Sequence, residues 1–161
     1  MNCRYILFLI SLGLLCIQAG CNQNEQRSTK APPSKDSIST WIDQGRNTEL
    51  SPDYRKDVLY KAFQTIRSLG VDSLSNQSMS RLSLAFLDLN DSLGFRKTNA
   101  AAMQMSAQIN DSASLAGSHW DLAVFFNIKS VPDSAFYHFY KAKELYNKMG
   151  NQLYEARVLY N

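Results

Sequence analysis

From Asp36 onward, apolar residues recur at three- and four-residue spacing, with no sustained alternation of period two. That period gathers apolar side chains on one face of an α-helix, whereas a half-buried strand would alternate. The pattern predicts helices over 37–46, 52–69, 76–89, 94–109, 113–128, 133–149 and 152–161. Punctuation supports the breaks. Ser51-Pro52 is a capping hydroxyl followed by proline at the first helical position, where a missing N–H costs nothing. Leu69-Gly70 and Met149-Gly150 end helices with the residue that tolerates positive φ. Asn90-Asp91-Ser92, Asn110-Asp111-Ser112 and Val131-Pro132-Asp133 read as turns.

These helices carry a repeat of 40 residues. Ala62, Ala102 and Ala142 are spaced by 40, as are Leu82 and Leu122, Phe86 and Phe126, Met105 and Leu145, and Ala116 and Ala156. Leu69, Ile109 and Met149 keep the same register, each followed by Gly or Asn. Small residues at an equal spacing mark places where helix backbones cross closely. Self-similarity of this length means stacked helix pairs, because a single pair cannot bury its own apolar face. The expected fold class is all-α, with antiparallel helix pairs stacked as a solenoid over 36–161.

Leu122-Ala123, Phe126, Ala135, Phe139 and Ala142 fall where a tetratricopeptide repeat has its Leu-Gly/Ala, Tyr, Ala, aromatic and Ala. Together with Lys141-Ala142, Leu145-Tyr146 and Met149-Gly150-Asn151, the stretch resembles the longer tetratricopeptide repeats of bacterial envelope proteins. The likeness covers 113–161 well and 76–112 weakly, for Phe95 and Asn99 stand at the Ala and aromatic positions of the earlier repeat. The first pair, 37–70, matches only through Ala62 and its helix ends, as a terminal capping repeat would. Leu159-Tyr160-Asn161 looks like the opening helix of a further repeat, which predicts more repeats or another domain beyond Asn161.

The resemblance implies a concave groove lined by the first helix of each pair. By register that face carries Gln77, Ser80, Leu84 and Leu87, then Gly117, Trp120, Val124 and Asn127, then Arg157 and Tyr160. Trp120 and Tyr160, one repeat apart, would wall a peptide segment, since amphipathic aromatics are favoured interface anchors. A competing reading buries Trp120 against the next repeat. Repeats of this family that clamp a carboxylate use Lys and Asn in the groove. Leu84 and Val124 at the Asn position argue against that mode.

The N-terminus reads differently. Tyr5 to Ala19 is an apolar run behind Arg4, too short for the roughly 20 residues of a membrane-spanning helix and suited to a secretory leader. Ala19-Gly20-Cys21 resembles the lipobox of bacterial lipoproteins, with Gln18 standing where that family usually has Leu. The resemblance implies cleavage after residue 20, acylation of Cys21, and a chain tethered to a bacterial membrane facing the periplasm or the cell surface. Cys3 and Cys16 leave with the leader, so the mature chain has no thiol for a disulfide or a metal. Residues 21–35, polar and containing Pro32-Pro33, read as a flexible linker between lipid and domain.

Charge narrows the partners. The whole chain has 17 Lys and Arg against 14 Asp and Glu, interspersed, and loss of Arg4 leaves a net of about +2. A nucleic-acid surface would show a clustered basic stripe. The two histidines, His119 and His138, lack Cys or carboxylate partners at helical spacing, and a zinc site needs three or four ligands. His119 stands in the register of Met79 and Leu159 and reads as a packed core residue; His138 reads as half-exposed. The aromatics of 125–146 read mostly as core. No G-x-S-x-G elbow, Gly-rich dinucleotide loop or phosphate loop occurs. No catalytic residue, metal or cofactor is therefore expected. The expectation is a protein–protein interaction module, resembling the sensory portion of envelope signalling proteins. The alternative is a solute-binding or scaffold lipoprotein attached to an outer-membrane assembly.

Overall fold

The computed structural model describes residues 35–151. The leader, Cys21, most of the linker, Arg157 and Tyr160 lie outside them. The described chain is all-α, and its successive helices pack against their neighbours: α1 (Lys35–Arg46), α2 (Pro52–Ser68), α3 (Ser73–Asp88), α4 (Ser92–Gln108), α5 (Ser112–Ile128) and α6 (Pro132–Lys148). The helices α2, α4 and α6 begin at 52, 92 and 132, so the 40-residue period of the sequence is a period of the backbone.

A smaller unit of 20 lies inside it. Among the described residues, Gly70, Asn90, Asn110, Ser130 and Gly150 have positive φ, one at each turn from α2 onward. From Asn90 on, each closes its helix the same way. The amide of Asp91 donates to the Phe86 carbonyl at 2.9 Å and that of Asn90 to Leu87, also at 2.9 Å. The pairs Asp111–Ser106, Val131–Phe126 and Asn151–Tyr146 repeat the longer bond. This is a Schellman closure, which satisfies carbonyls that a helix end leaves free. Asp91 and Asp111 then turn at once into caps, their Oδ1 atoms each accepting an N–H at 2.9 Å, from Gly94 and Ser114. One residue thus ends one helix and starts the next, which forces consecutive helices antiparallel.

The α2–α3 connection is a residue longer. There Asp72 caps Ser75 at 2.6 Å, and α3 begins at Ser73, three residues before the apolar pattern places it. The capping carboxylate decides that start, and hydropathy cannot register it.

The closest partners are α1 with α2, α3 with α4 and α5 with α6; the odd-numbered helices also touch one another along the stack. Ala62, Ala102 and Ala142 are completely buried, as the small-residue spacing requires. The main core runs from Ile38 and Ile42 through Leu59, Ile66, Met79, Leu82, Phe86 and Phe95 to Phe125. A second cluster joins Ala116, Ala142 and Tyr146. Leu122 and Phe126 are only partly buried, whereas their counterparts Leu82 and Phe86 are sealed. No described helix is long and apolar enough to cross a membrane.

Candidate functional site

The groove positions on α3 and α5 are placed unevenly. Leu84, Leu87, Trp120 and Val124 are half-buried and Asn127 is exposed. Leu87 packs against the main core. Trp120 packs into the second cluster, its ring edge-on to Phe139 with centroids 5.4 Å apart. That contact ties Trp120 to its own pair partner, so part of its surface serves the α5–α6 contact. Leu84 and Val124, 40 residues apart, pack against neither described core cluster. Gln77 is exposed, and Ser80 and Gly117 are half-buried. Two ion pairs bind α1 to α3, Arg81–Asp43 at 3.1 Å and Arg46–Asp88 at 3.0 Å. They hold the odd helices side by side at the start of the stack, although such exposed pairs add little stability.

The aromatics depart from expectation. Phe125 and Tyr146 are buried, and Phe125 stacks on Phe95 at 4.8 Å. Phe136, Tyr137 and Tyr140 are 73%, 53% and 50% exposed. All three lie on α6, whose buried side is defined by Ala135, Ala142 and Tyr146. The aromatic count of this helix exceeds what one apolar stripe can cover.

His119 also departs from expectation. Met79, its counterpart one repeat back, is fully buried, but His119 is half-buried and meets His138 across α5–α6 with Nδ1 atoms 3.0 Å apart. One ring must carry its proton on Nδ1 and the other accept it. Burial, then the nearby His138 and Lys141, push the His119 imidazole down to about 4. Burial also lowers His138. Both rings are therefore neutral at pH 7. The His138 ring lies parallel to Phe126, 5.5 Å away. Two imidazoles are half of a closed zinc shell, and among the described residues no three His, Cys, Asp or Glu side chains converge.

His138 and Phe126 border a cavity of about 250 Å³ between α4, α5 and α6, with Arg96, Asn99, Ala100, Met103 and Leu122. Asn99 is its buried floor: Nδ2 donates to the Ser118 carbonyl at 3.2 Å, while Oδ1 has no hydrogen-bond partner. A second cavity, of about 380 Å³, lies by Lys56, Asn90 and Asp91. Its polar groups pair with one another: Lys56 Nζ sits 3.3 Å from Asp91, and Tyr60 Oη donates to the same carboxylate at 3.4 Å.

Comparison with family models, with curated proteins and with solved structures yields no match.

The histidine pair escaped the sequence reading because helical spacing within one helix was the criterion applied to it. A usable signal existed. In an antiparallel hairpin, residues at similar distances from the turn come near one another, and 119 and 138 lie 10 and 7 residues from the 129–131 turn, within one helical turn of each other. Asn99 did leave a trace, as the one polar residue at an aromatic position of the repeat.

Proposed function

We propose that this chain is a membrane-tethered, extracytoplasmic interaction module of the tetratricopeptide type, serving as the sensory portion of an envelope signalling protein. The tether rests on the leader and Cys21. The single observation that supports docking is the lateral packing of α1, α3 and α5, which leaves Leu84 and Val124 half-buried at the same repeat position outside the described cores. Apolar residues repeated along one face of a stack, without a core role, suit a protein or peptide partner laid along it.

The docking reading is tested by placing a photo-crosslinking amino acid at 84, at 124 and, as a control, at the exposed Gln104 of α4 in intact cells. Adducts at 84 and 124 but not at 104 are expected. Equal labelling at all three, or none at 84 and 124, overturns the reading. The tether is tested separately by Cys21→Ala, which should abolish acylation and release the chain from membranes. Unchanged mass and membrane fractionation relative to the parent remove it.

A further inference from the structure

We propose that the outer face of α6, built on Phe136 and Tyr137, lies against the surface of an anionic lipid bilayer. This rests on the membrane address proposed above and not on the odd-helix face.

The 40-residue register shows that the face is built to be outside. Phe136 and Tyr137 are 73% and 53% exposed. One repeat back the same positions hold Arg96 and Lys97, and two repeats back Lys56 and Asp57, all exposed. Those four stay exposed although further helices pack beyond α2 and α4. The positions therefore point away from the stack, and another helix pair laid beyond α6 would leave them uncovered. Tyr140 is different, for its counterpart Tyr60 is half-buried and meets Phe86 of the next pair edge-on at 4.9 Å. So α6 places two large aromatics where the other even helices place charges, at positions that the fold does not bury.

Area, charge and the tether select the occupant. A stable protein interface takes roughly 800 Å² from each partner. The three aromatics, at roughly 150–250 Å² apiece if wholly covered, fall short of that, so a second copy seated on this helix would be held weakly. A tethered chain needs far less, because the bilayer is already at high effective concentration. A linker of residues 22–34 has a reach of roughly 20 Å and keeps the helices beside the membrane. The chemistry also suits the headgroup level. Tyr137 joins an apolar ring to a polar tip, which favours a membrane–water interface. Around it, Lys141 pairs with Glu144 at 2.9 Å, while Lys143 and Lys148 make no ion pair among the described residues. They stand against one remaining carboxylate of the helix, Asp133. Aromatics flanked by a net positive charge match anionic lipid.

The test is co-sedimentation of the chain from residue 21 on, carrying Cys21→Ala, with sucrose-loaded vesicles. All six described helices lie within it. No acyl chain is present, so the result reads the α6 face alone; failure of the tether reading shows separately, as a parent without acyl mass. On vesicles of phosphatidylcholine and phosphatidylglycerol at about 7:3, half of the chain should sediment at ~1–10 mM lipid, too weak to hold an untethered chain through fractionation. Phosphatidylcholine alone should bind at least ~5-fold more weakly. Phe136→Ser combined with Tyr137→Ser should weaken binding ~10-fold or more, and Gln104→Ala should not. Both aromatic positions are exposed, so the double variant should fold, and a thermal melt checks that it does. Tyr137→Trp gives an independent arm and should bind at least as tightly as the parent, because Trp favours the interface. No sedimentation at ~10 mM lipid overturns the proposal. So does binding that survives the double substitution, or that is as strong on phosphatidylcholine alone. Sedimentation velocity without lipid examines the rival occupant: a dimer that the same two substitutions dissolve overturns the proposal in favour of a second copy.

Discussion

His119 and His138 face each other across the α5–α6 hairpin with their Nδ1 atoms 3.0 Å apart, and one N–H between the two rings joins the helices. The bond requires a lone pair on one Nδ1, so at least one of the two rings must be neutral. Burial, His138 and Lys141 hold His119 at about 4 against an ordinary value of 6.5. Because the folded value is the lower one, the unfolded chain takes up the proton first as pH falls. The stability this pair contributes is complete above pH 6.5 and drains away between 6.5 and 4.

Asp121, on the same helix, works in the opposite direction. Burial lifts its carboxyl to about 6 from 3.8. Its ionised form is disfavoured by the fold, so it penalises stability above pH 6 and ceases to do so as pH falls toward 3.8. The two effects overlap and oppose. Relative to the parent, Asp121→Asn should therefore melt higher at pH 7.5 and lose that advantage on going to pH 4. His119→Met should gain on the parent over the same descent. Thermal melts at intervals of one pH unit read both differences. Parallel curves for parent and variants would show that neither group titrates as its surroundings imply.

Val131 breaks the capping series. Asp91 and Asp111 each hold the amide three residues on, but Val131, at the next place in the 20-residue spacing, has no side-chain bond to give α6. Val131 is 41% exposed, so little packing is lost on replacing it. Val131→Asp should stabilise the chain by about 1 kcal/mol, and Val131→Asn by a similar amount without the charge. Denaturant unfolding should show a higher midpoint at an unchanged slope. No rise in either variant would mean that Pro132 already fixes this helix start.

Ser130, one residue earlier, is a non-glycine residue at φ 57°, where the other turns use Gly or Asn. An L-residue with a Cβ pays roughly 1–2 kcal/mol to hold that conformation. Ser130→Gly should recover about 1 kcal/mol of this, read as a shift in the same unfolding midpoint. A loss of stability would show that the serine hydroxyl offsets the strain.

How much of this was legible depended on which force set each feature. The six described helices could be read because burial imposes its period along the chain, and Ala62, Ala102 and Ala142 marked the crossings because only a small side chain fits there. The start of α3 was missed because one carboxylate, Asp72, sets it. The exposure of Phe136, Tyr137 and Tyr140 was missed because hydrophobic character does not say which side of a saturated helix faces inward. His119 followed its repeat register only as far as packing allowed. A polar ring that finds a mate 19 residues away is stable half-exposed, where Met79 must be sealed.

Gly94 shows how tight the crossings are. It is the third residue of α4, buried against α3, and a Cβ placed on it would sit 2.3 Å from Cδ1 of Phe86. Two forces compete when Gly94 becomes Ala. Helix propensity favours alanine by about 0.8–1.0 kcal/mol. Against it stands the Phe86 ring, which has no exposed surface, meets Tyr60 edge-on at 4.9 Å and packs in the main core. The ring can yield only by displacing Tyr60 or by pushing α4 off α3. Overpacking of that kind costs roughly 1–3 kcal/mol. Overpacking wins, and Gly94→Ala should lower stability by about 1–2 kcal/mol. Making room reverses the sign. In a Phe86→Leu background the branched side chain vacates the ring volume, so the added methyl should cost less than it does in the parent. A double-mutant cycle from denaturant midpoints measures the difference. A cost for Gly94→Ala that is the same in both backgrounds would place the clash elsewhere than on Phe86.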